Sequence, residues 1–244
     1  DGYTLSKSLG HHVTKTLPVL TGICCEDLPE ALKGIRVKGK LSLICRDNVV
    51  FSEHGEVQFT DYGISGICVF NLSRYLKYLG EEKLEPYTIV LDLAPERSFA
   101  AMLSSWRRDT VLGEKACVDA VSGIIKPPLA DLLLKQANIK EKKKLSGLSV
   151  SEISALDGHL HRLRFKPVST MGFKMAQCTA GGIAAAEVDG KTLASKIVPG
   201  LYFAGEILDY DGPCGGYNLD HAFNTGRCAA EAAVAAILQG DHHV

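Results

Sequence analysis

Between Gly205 and Asn218 the chain interleaves ligand-recognising groups with glycine: Glu206, Asp209, Asp211, Tyr217 and Asn218 alternate with Gly205, Gly212, Gly215 and Gly216. Carboxylates suit ribityl or ribose hydroxyls. Paired glycines let backbone approach a ligand closely. The free N–H groups and positive dipole of a helix start favour an anionic or electron-rich partner, such as a pyrophosphate or the pyrimidine edge of a flavin. The flanking elements position this loop. An apolar β-type run, Leu201 to Ala204, precedes it, and an alanine-rich helix from about Leu219 to Leu238 follows. Strand, acidic glycine loop and helix together form the layout of a flavin or nucleotide site. The competing reading is a plain βα turn, its helix packed through Ala229, Ala230, Ala232, Ala233, Ala235 and Ala236.

Other chemistry is thinly represented. A second glycine pair lies in Thr179-Ala180-Gly181-Gly182-Ile183, and Asp61-Tyr62-Gly63-Ile64-Ser65-Gly66 is a further glycine-punctuated loop. No G-x-S-x-G, H-E-x-x-H or G-x-x-x-x-G-K-[ST] occurs, so no catalytic acid, base or nucleophile is assigned. His11-His12 and His242-His243 are expected to be solvated, as are His159 and His161 beside Arg162, and His221 is expected at the surface. The eight cysteines, at 24, 25, 45, 68, 117, 178, 214 and 228, contain no C-x-x-C pair. Metal-ligand spacing is therefore absent, and reduced, buried thiols in a cytosolic protein are expected.

The 244 residues suffice for one large domain or two small ones, and 46% hydrophobic against 23% charged residues is ordinary globular composition. A net charge of −1 offers no electrostatic case for nucleic acid or an anionic membrane. No uncharged apolar run reaches the roughly 18 residues of a membrane span. The start, DGYTLSKSLG, is polar and lacks an initiator methionine, which reads as the inside of a longer protein rather than a signal peptide.

Residues 3–10 read as a short helix and Leu17–Cys24 as a strand. Ile35–Val37, Leu41–Cys45, Val49–Phe51 and Val57–Phe59 alternate as a β meander, with turns expected at Lys38-Gly39, Asp47-Asn48 and His54-Gly55. Leu72–Leu79 reads as helix and Tyr87–Leu93 as strand. From Ser98 the period becomes helical: Phe99, Met102, Leu103 and Trp106 share a face, Pro127-Pro128 opens a second helix, and Ser151 heads a third. Glu141–Lys144 is a charge run expected to be exposed. Strand and loop return from Leu163.

The segment TAGGIAAAEVDGKTLASKIVPGLYFAGEILDYDGPCGGYNLDHAFNTG resembles the C-terminal part of the BaiN/YhiN-like FAD-dependent oxidoreductases, also called the aminoacetone oxidase family. FTDYGISGICVFNLSRYL is similar to that family's FTH-x-G-x-SG-P segment, and DGYTLSKSLGHHV to its DGY-x-LA-x-SLGH run. The resemblance covers nearly all of the chain in order. It implies an α/β fold (an α+β mix): the C-terminal part of a split Rossmann-type FAD domain, with an inserted β-rich, barrel-like domain and a small helical domain. On that plan residues 1–17 and 167–244 are FAD domain and connector, 18–97 the β-rich insert, and 98–166 the helical insert. The G-x-G-x-x-G half of the FAD domain is missing, so the expected partner is that N-terminal half.

By position, the resemblance puts Gly205 and Glu206 near the ribityl-phosphate of FAD. Asp211, Gly212, Gly215, Gly216, Tyr217 and Asn218 then line the isoalloxazine, and Thr179, Gly181 and Gly182 face the flavin or substrate. Asp61 stands where the family commonly has His, and Ile67-Cys68 where it has Pro-Ala, which leaves the substrate open. The implied activity is flavin-dependent oxidation or reduction of a small organic molecule, with FAD as cofactor and NAD(P)H as a candidate reductant. The chain alone is expected not to retain FAD and to be inactive. A separately encoded, non-catalytic half-protein that completes a flavoprotein partner is the alternative, and an unrelated binding module a third. An unpaired Leu201–Ala204 edge predicts self-association.

Overall fold

In the computed structural model the described residues are 1–76, 87–96 and 98–240. In chain order they form α1 (Gly2–Ser8), β1 (Leu17–Val19), β2 (Ile23–Cys25), β3 (Arg36–Cys45), β4 (Asn48–Phe59), β5 (Gly63–Ser65), α2 (Ile67–Ser73) and β6 (Tyr87–Asp92). Then follow α3 (Phe99–Arg108), α4 (Cys117–Ser122), α5 (Pro127–Gln136), α6 (Val150–His161), β7 (Leu163–Phe165), β8 (Pro167–Thr170), β9 (Cys178–Ala180) and α7 (Tyr217–Leu238). The chain divides into two compact units: residues 1–22, 73–77 and 170–244 make the first, and 23–72 and 78–169 the second. The helical insert of the expected plan and most of its β-rich insert fall in the second unit, while 18–22 and 73–77 of the β-rich insert fall in the first.

The second unit is built on a sheet of order β7-β6-β3-β4-β5-β2-β8. Its two end strands are consecutive stretches of one chain run, separated only by Lys166. One continuous run thereby brings the two ends of the sheet together, as in a barrel. Leu41, Leu43, Val57, Phe59, Ile89, Leu91 and Phe165 point inward at alternate positions and are buried, with the Phe59 and Phe165 rings 5.8 Å apart. The expected meander of short strands is one long hairpin instead. Arg46 and Asp47, both at positive φ, make its tight turn. The turns expected at Lys38-Gly39 and His54-Gly55 do not form, because Gly39 and Gly55 pair across the ladder. A Cβ at Gly39 would lie only 2.4 Å from the Asp92 carbonyl oxygen, so the glycine serves close strand approach rather than a turn.

The helices of this unit bury Phe99 and Leu103 of α3, Leu129, Leu133 and Leu134 of α5, and Ile153, Leu156 and Leu160 of α6. Helix α6 begins earlier than the Ser151 start read from sequence. Ser149 caps it, accepting from the Glu152 amide while Glu152 accepts from the Ser149 amide. The 141–144 charge run is tethered: Lys143 Nζ donates to both Glu152 oxygens at 2.7 and 2.8 Å, and Lys144 Nζ to Glu114 at 2.6 Å. The helix expected over Leu72–Leu79 is α2, which ends at Ser73; residues 77–79, like His242-His243, lie outside the described residues.

In the first unit, β1 and β9 pair antiparallel. A small apolar cluster of Ile183, Val188, Leu193, Phe203, Leu208 and Ala229 forms its core. Leu201–Ala204 is not a ladder strand. One isolated bridge joins Tyr202 to Ala194, made by the Phe203 amide donating to the Leu193 carbonyl and the Ser195 amide to the Leu201 carbonyl. His11 is not solvated: its side chain is fully buried, with Nδ1 3.0 Å from Glu187 Oε2 and Nε2 2.8 Å from Ser195 Oγ. Ser195 Oγ already accepts from the Ile197 and Val198 amides. Its one proton therefore goes to Nε2, and the Nδ1 proton to Glu187.

Candidate functional site

All the residues singled out as flavin-facing lie in the first unit. Helix α7 starts at Tyr217, two residues before the expected start, with Gly216 as its N-cap and no side-chain cap. Gly215 and Gly216 stand at φ +127 and +93°, where a side chain would be strained. A Cβ at Gly216 would meet nothing within 4 Å; here glycine sets backbone direction and leaves the helix start open. The amides of Gly215, Gly216, Tyr217, Asn218 and Leu219 have no acceptor among the described residues. A run of unspent N–H groups at the start of a 22-residue helix is an acceptor-seeking surface.

The loop before α7 is braced from within. The Gly212 amide donates to Asn218 Oδ1 at 2.8 Å, and Asn218 Nδ2 returns a bond to the Gly212 carbonyl at 3.1 Å. A Cβ on Gly212 would come within 2.9 Å of Tyr217 Cβ, so this position too requires glycine. Asp211 is committed elsewhere: Arg74 Nε donates to its Oδ2 at 2.7 Å, and Arg74 Nη2 donates to its carbonyl. Tyr217 is 56% exposed at the mouth of the loop.

The second glycine pair serves close packing. Gly181 and Gly182 stand at φ +83 and +150°. A Cβ on either would lie 2.2 Å from the Lys15 carbonyl oxygen or 2.4 Å from that of Ile207. Thr14 Oγ1 accepts from the Gly182 amide at 2.9 Å and donates to Asp209 Oδ2 at 3.0 Å. Glu206 Oε1 accepts from the Thr179 amide at 2.8 Å. Gly205, at φ +78°, donates its amide to Thr225 Oγ1 on α7. Glu206 thus holds Thr179, and Thr14 joins Gly182 to Asp209, whereas Asp211, Gly212 and Asn218 are braced separately before the helix start.

Sequence reasoning missed Tyr3, Thr14, Arg74 and Tyr210, none of which falls in a motif. It also misplaced His221. That ring is half-buried and stacked on Tyr210, with centroids 4.0 Å apart and planes 26° from parallel. Its Nε2 is buried without a hydrogen-bond partner among the described residues. Desolvation lowers the imidazole's pKa below 6.5, against a smaller opposing pull from Asp220, so a neutral ring is favoured. Burial, with the Glu206 and Asp211 carboxylates adding to it, raises the Cys178 thiol to about 11. It is a protonated thiol at neutral pH and a poor nucleophile. Burial, then Glu206, raises Tyr3 likewise. No group of His, Cys, Asp or Glu side chains among the described residues is placed to hold a metal ion.

A glycine loop opening a long helix whose first amides are unspent is an arrangement of the nucleotide-binding α/β class. The chain belongs to the HI0933-like protein Rossmann domain family, whose profile matches residues 1–232. It is 33% identical over 240 residues to the 3-dehydro-bile acid delta(4,6)-reductase of Clostridium scindens, covering 96% of this chain and 57% of that protein. It is 28% identical to the ribosomal RNA dihydrouridine synthase of Escherichia coli, covering 96% and 56%, and 26% identical to that of Haemophilus influenzae, covering 82% and 46%. The chain thus spans about half the length of the curated relatives it matches. No described helix is long and apolar enough to cross a membrane.

Proposed function

We propose that this chain is the C-terminal flavin-side portion of an FAD-dependent oxidoreductase that adds hydrogen across a carbon–carbon double bond conjugated to a carbonyl. The observation that carries the reading is the run of unspent amides from Gly215 to Leu219 behind a loop that only glycine permits, in a chain of this family. The named reactions of the relatives support the choice of bond. A delta(4,6) 3-dehydro steroid and a uridine ring each present an alkene activated by a neighbouring carbonyl.

The residues present fit the electron-rich edge of a flavin. FAD, when bound, supplies hydride chemistry. The amides of Gly215–Leu219 would hold negative charge at that edge, helped by the α7 dipole. Asn218, by locking Gly212, keeps the loop open, and Glu206 and Asp209, anchored to the Thr179 amide and to Thr14, hold the facing wall. The neutral His221 adds no positive charge of its own beside the helix start, where the Arg74 guanidinium is already paired with Asp211.

The pyrophosphate-binding G-x-G-x-x-G and ribose carboxylate are assigned to a segment outside this chain. The surface of α7 supports this. Leu219, Phe223, Val234 and Ile237 are 67, 77, 55 and 60% exposed, and with Gly226 and Ala230 they fall within an arc of about 80° at 3.6 residues per turn. Such a stripe needs a cover. NAD(P)H is the proposed reductant, and eight cysteines, none of them in a disulfide, suit a reducing, cytoplasmic compartment.

The test uses the protein from the complete reading frame. Its flavin is reduced anaerobically and mixed with a 3-oxo-4-ene steroid, with its saturated analogue, and with uridine-containing ribosomal RNA. Reoxidation by an unsaturated compound and not by the saturated one is expected. Reoxidation by oxygen alone, with every organic acceptor inert, would sink the proposal.

A further inference from the structure

Four polar side chains without any partner among the described residues converge on one cleft of the second unit. Gln136, Ala155, Gly158, His159, Arg162 and Arg164 enclose about 590 Å³ between the ends of α5 and α6 and the outer face of β7. Leu163 and Phe165 of β7 are buried in the barrel, so alternation turns Arg162 and Arg164 outward together. Neither guanidinium has a carboxylate within ion-pair distance among the described residues, and Gln136 and His159 make no side-chain hydrogen bond there. The neighbouring His161 shows the contrast: it is tied to Asp92 Oδ1 at 2.9 Å and lies 3.6 Å from Asp157.

We infer that this cleft is an anion site that takes a phosphate-bearing ligand, independent of the flavin reading. The whole chain is nearly neutral, but this lining contains two permanent cations and no acid. The carbonyl ends of α5 and α6 contribute roughly half a negative charge each. The two guanidiniums therefore leave a surplus of about one positive charge to be met from outside. Planar forks two residues apart, Arg162 at the end of α6 and Arg164 on β7, suit the several oxygens of a phosphodiester or polyphosphate better than a lone carboxylate. Gln136 and His159 add further donors. Arg164 and Gln136 also line a second hollow of about 680 Å³, with Leu163 and Phe165 among its other walls. Carboxylates enter only there, as Glu26 and Asp27, and Glu26 is held by Lys166 at 2.9 Å.

The test titrates the full chain with tripolyphosphate by calorimetry, and with a fluorescein-labelled oligouridylate by anisotropy at low salt. Arg162→Gln/Arg164→Gln is expected to weaken whichever probe binds by about tenfold or more. Gln136→Glu should weaken it as well. Arg107→Gln/Arg108→Gln, at the far end of α3, should leave it within about twofold. Oligouridylate binding that tripolyphosphate displaces identifies a polynucleotide backbone as the source; binding of tripolyphosphate alone identifies a small phosphorylated ligand. The inference is overturned if neither probe binds. It is also overturned if the Arg162/Arg164 variant, with an unchanged melting temperature, binds as the parent does, or if the Arg107/Arg108 variant loses as much.

Discussion

In the barrel, Leu41, Leu43, Val57, Phe59, Ile89 and Leu91 lose all contact with water, whereas the 22-residue α7 of the other unit buries only Ala229. One unit coheres by an apolar core enclosed by its own strands. The other has a six-residue apolar cluster and is held largely by polar clasps: His11 to Glu187 and Ser195, Arg74 to Asp211, Thr14 to Asp209, and Asn218 to Gly212. The difference teaches where the flavin and a covering partner are expected: the clasped unit leaves the amides of the α7 start and a hydrophobic helix face unused.

Matched substitutions sharpen the contrast. Phe59→Ala in the barrel should cost about 3–5 kcal/mol in urea unfolding, from lost transfer energy and a residual cavity; a loss below about 1 kcal/mol would mean that the barrel core is not the stability centre. In the clasped unit, Arg74→Ala strips the partner from an Asp211 side chain that is only 12% exposed. About 2–3 kcal/mol should be lost, and Asp211→Asn should restore part of it in the double variant. His11→Ala leaves Glu187 and Ser195 short of a partner, for about 2 kcal/mol, and earlier proteolysis within residues 1–22 should accompany it.

A pH effect of smaller size is expected at the helix start. The folded-state pKa of His221 lies below its ordinary 6.5, so the unfolded state takes up the proton first. Stability is fully present above pH 6.5 and declines as pH falls below it. Protection factors of amides 220–223, that is, exchange corrected for its intrinsic slowing in acid, should fall between about pH 7 and about pH 5.5, and His221→Phe should flatten that dependence. Protection factors independent of pH would contradict the burial of His221. Smallest of all in stability is Phe223→Ala, within about 0.5 kcal/mol. It should instead reduce self-association of the isolated chain, which light scattering would register.

Legibility from sequence follows the same divide. Period-two alternation and proline starts made the strands and α5 readable, because barrel and helix faces impose those periods directly. Gly39 and Gly55 misled as turn signals, since a strand crossing at close range needs glycine just as a turn does. The terminal glycine loop was legible because positive φ and an open helix start are properties of single residues. Arg74, Thr14 and His11 were not, because each acts across more than a hundred residues of chain and no local pattern marks such a partner. Leu201–Ala204 looked like a strand because strand propensity is local, whereas forming a ladder needs a neighbour that these residues do not include.

The most direct test of the split flavin site is a visible absorption spectrum after incubation with FAD and desalting. It would be recorded for this chain alone and for this chain joined to the segment that completes the length of its relatives. A colourless chain, and a perturbed flavin band once the segment is joined, is the predicted result. Flavin retained by this chain alone would contradict the division of the site, and flavin retained by neither would contradict the site itself.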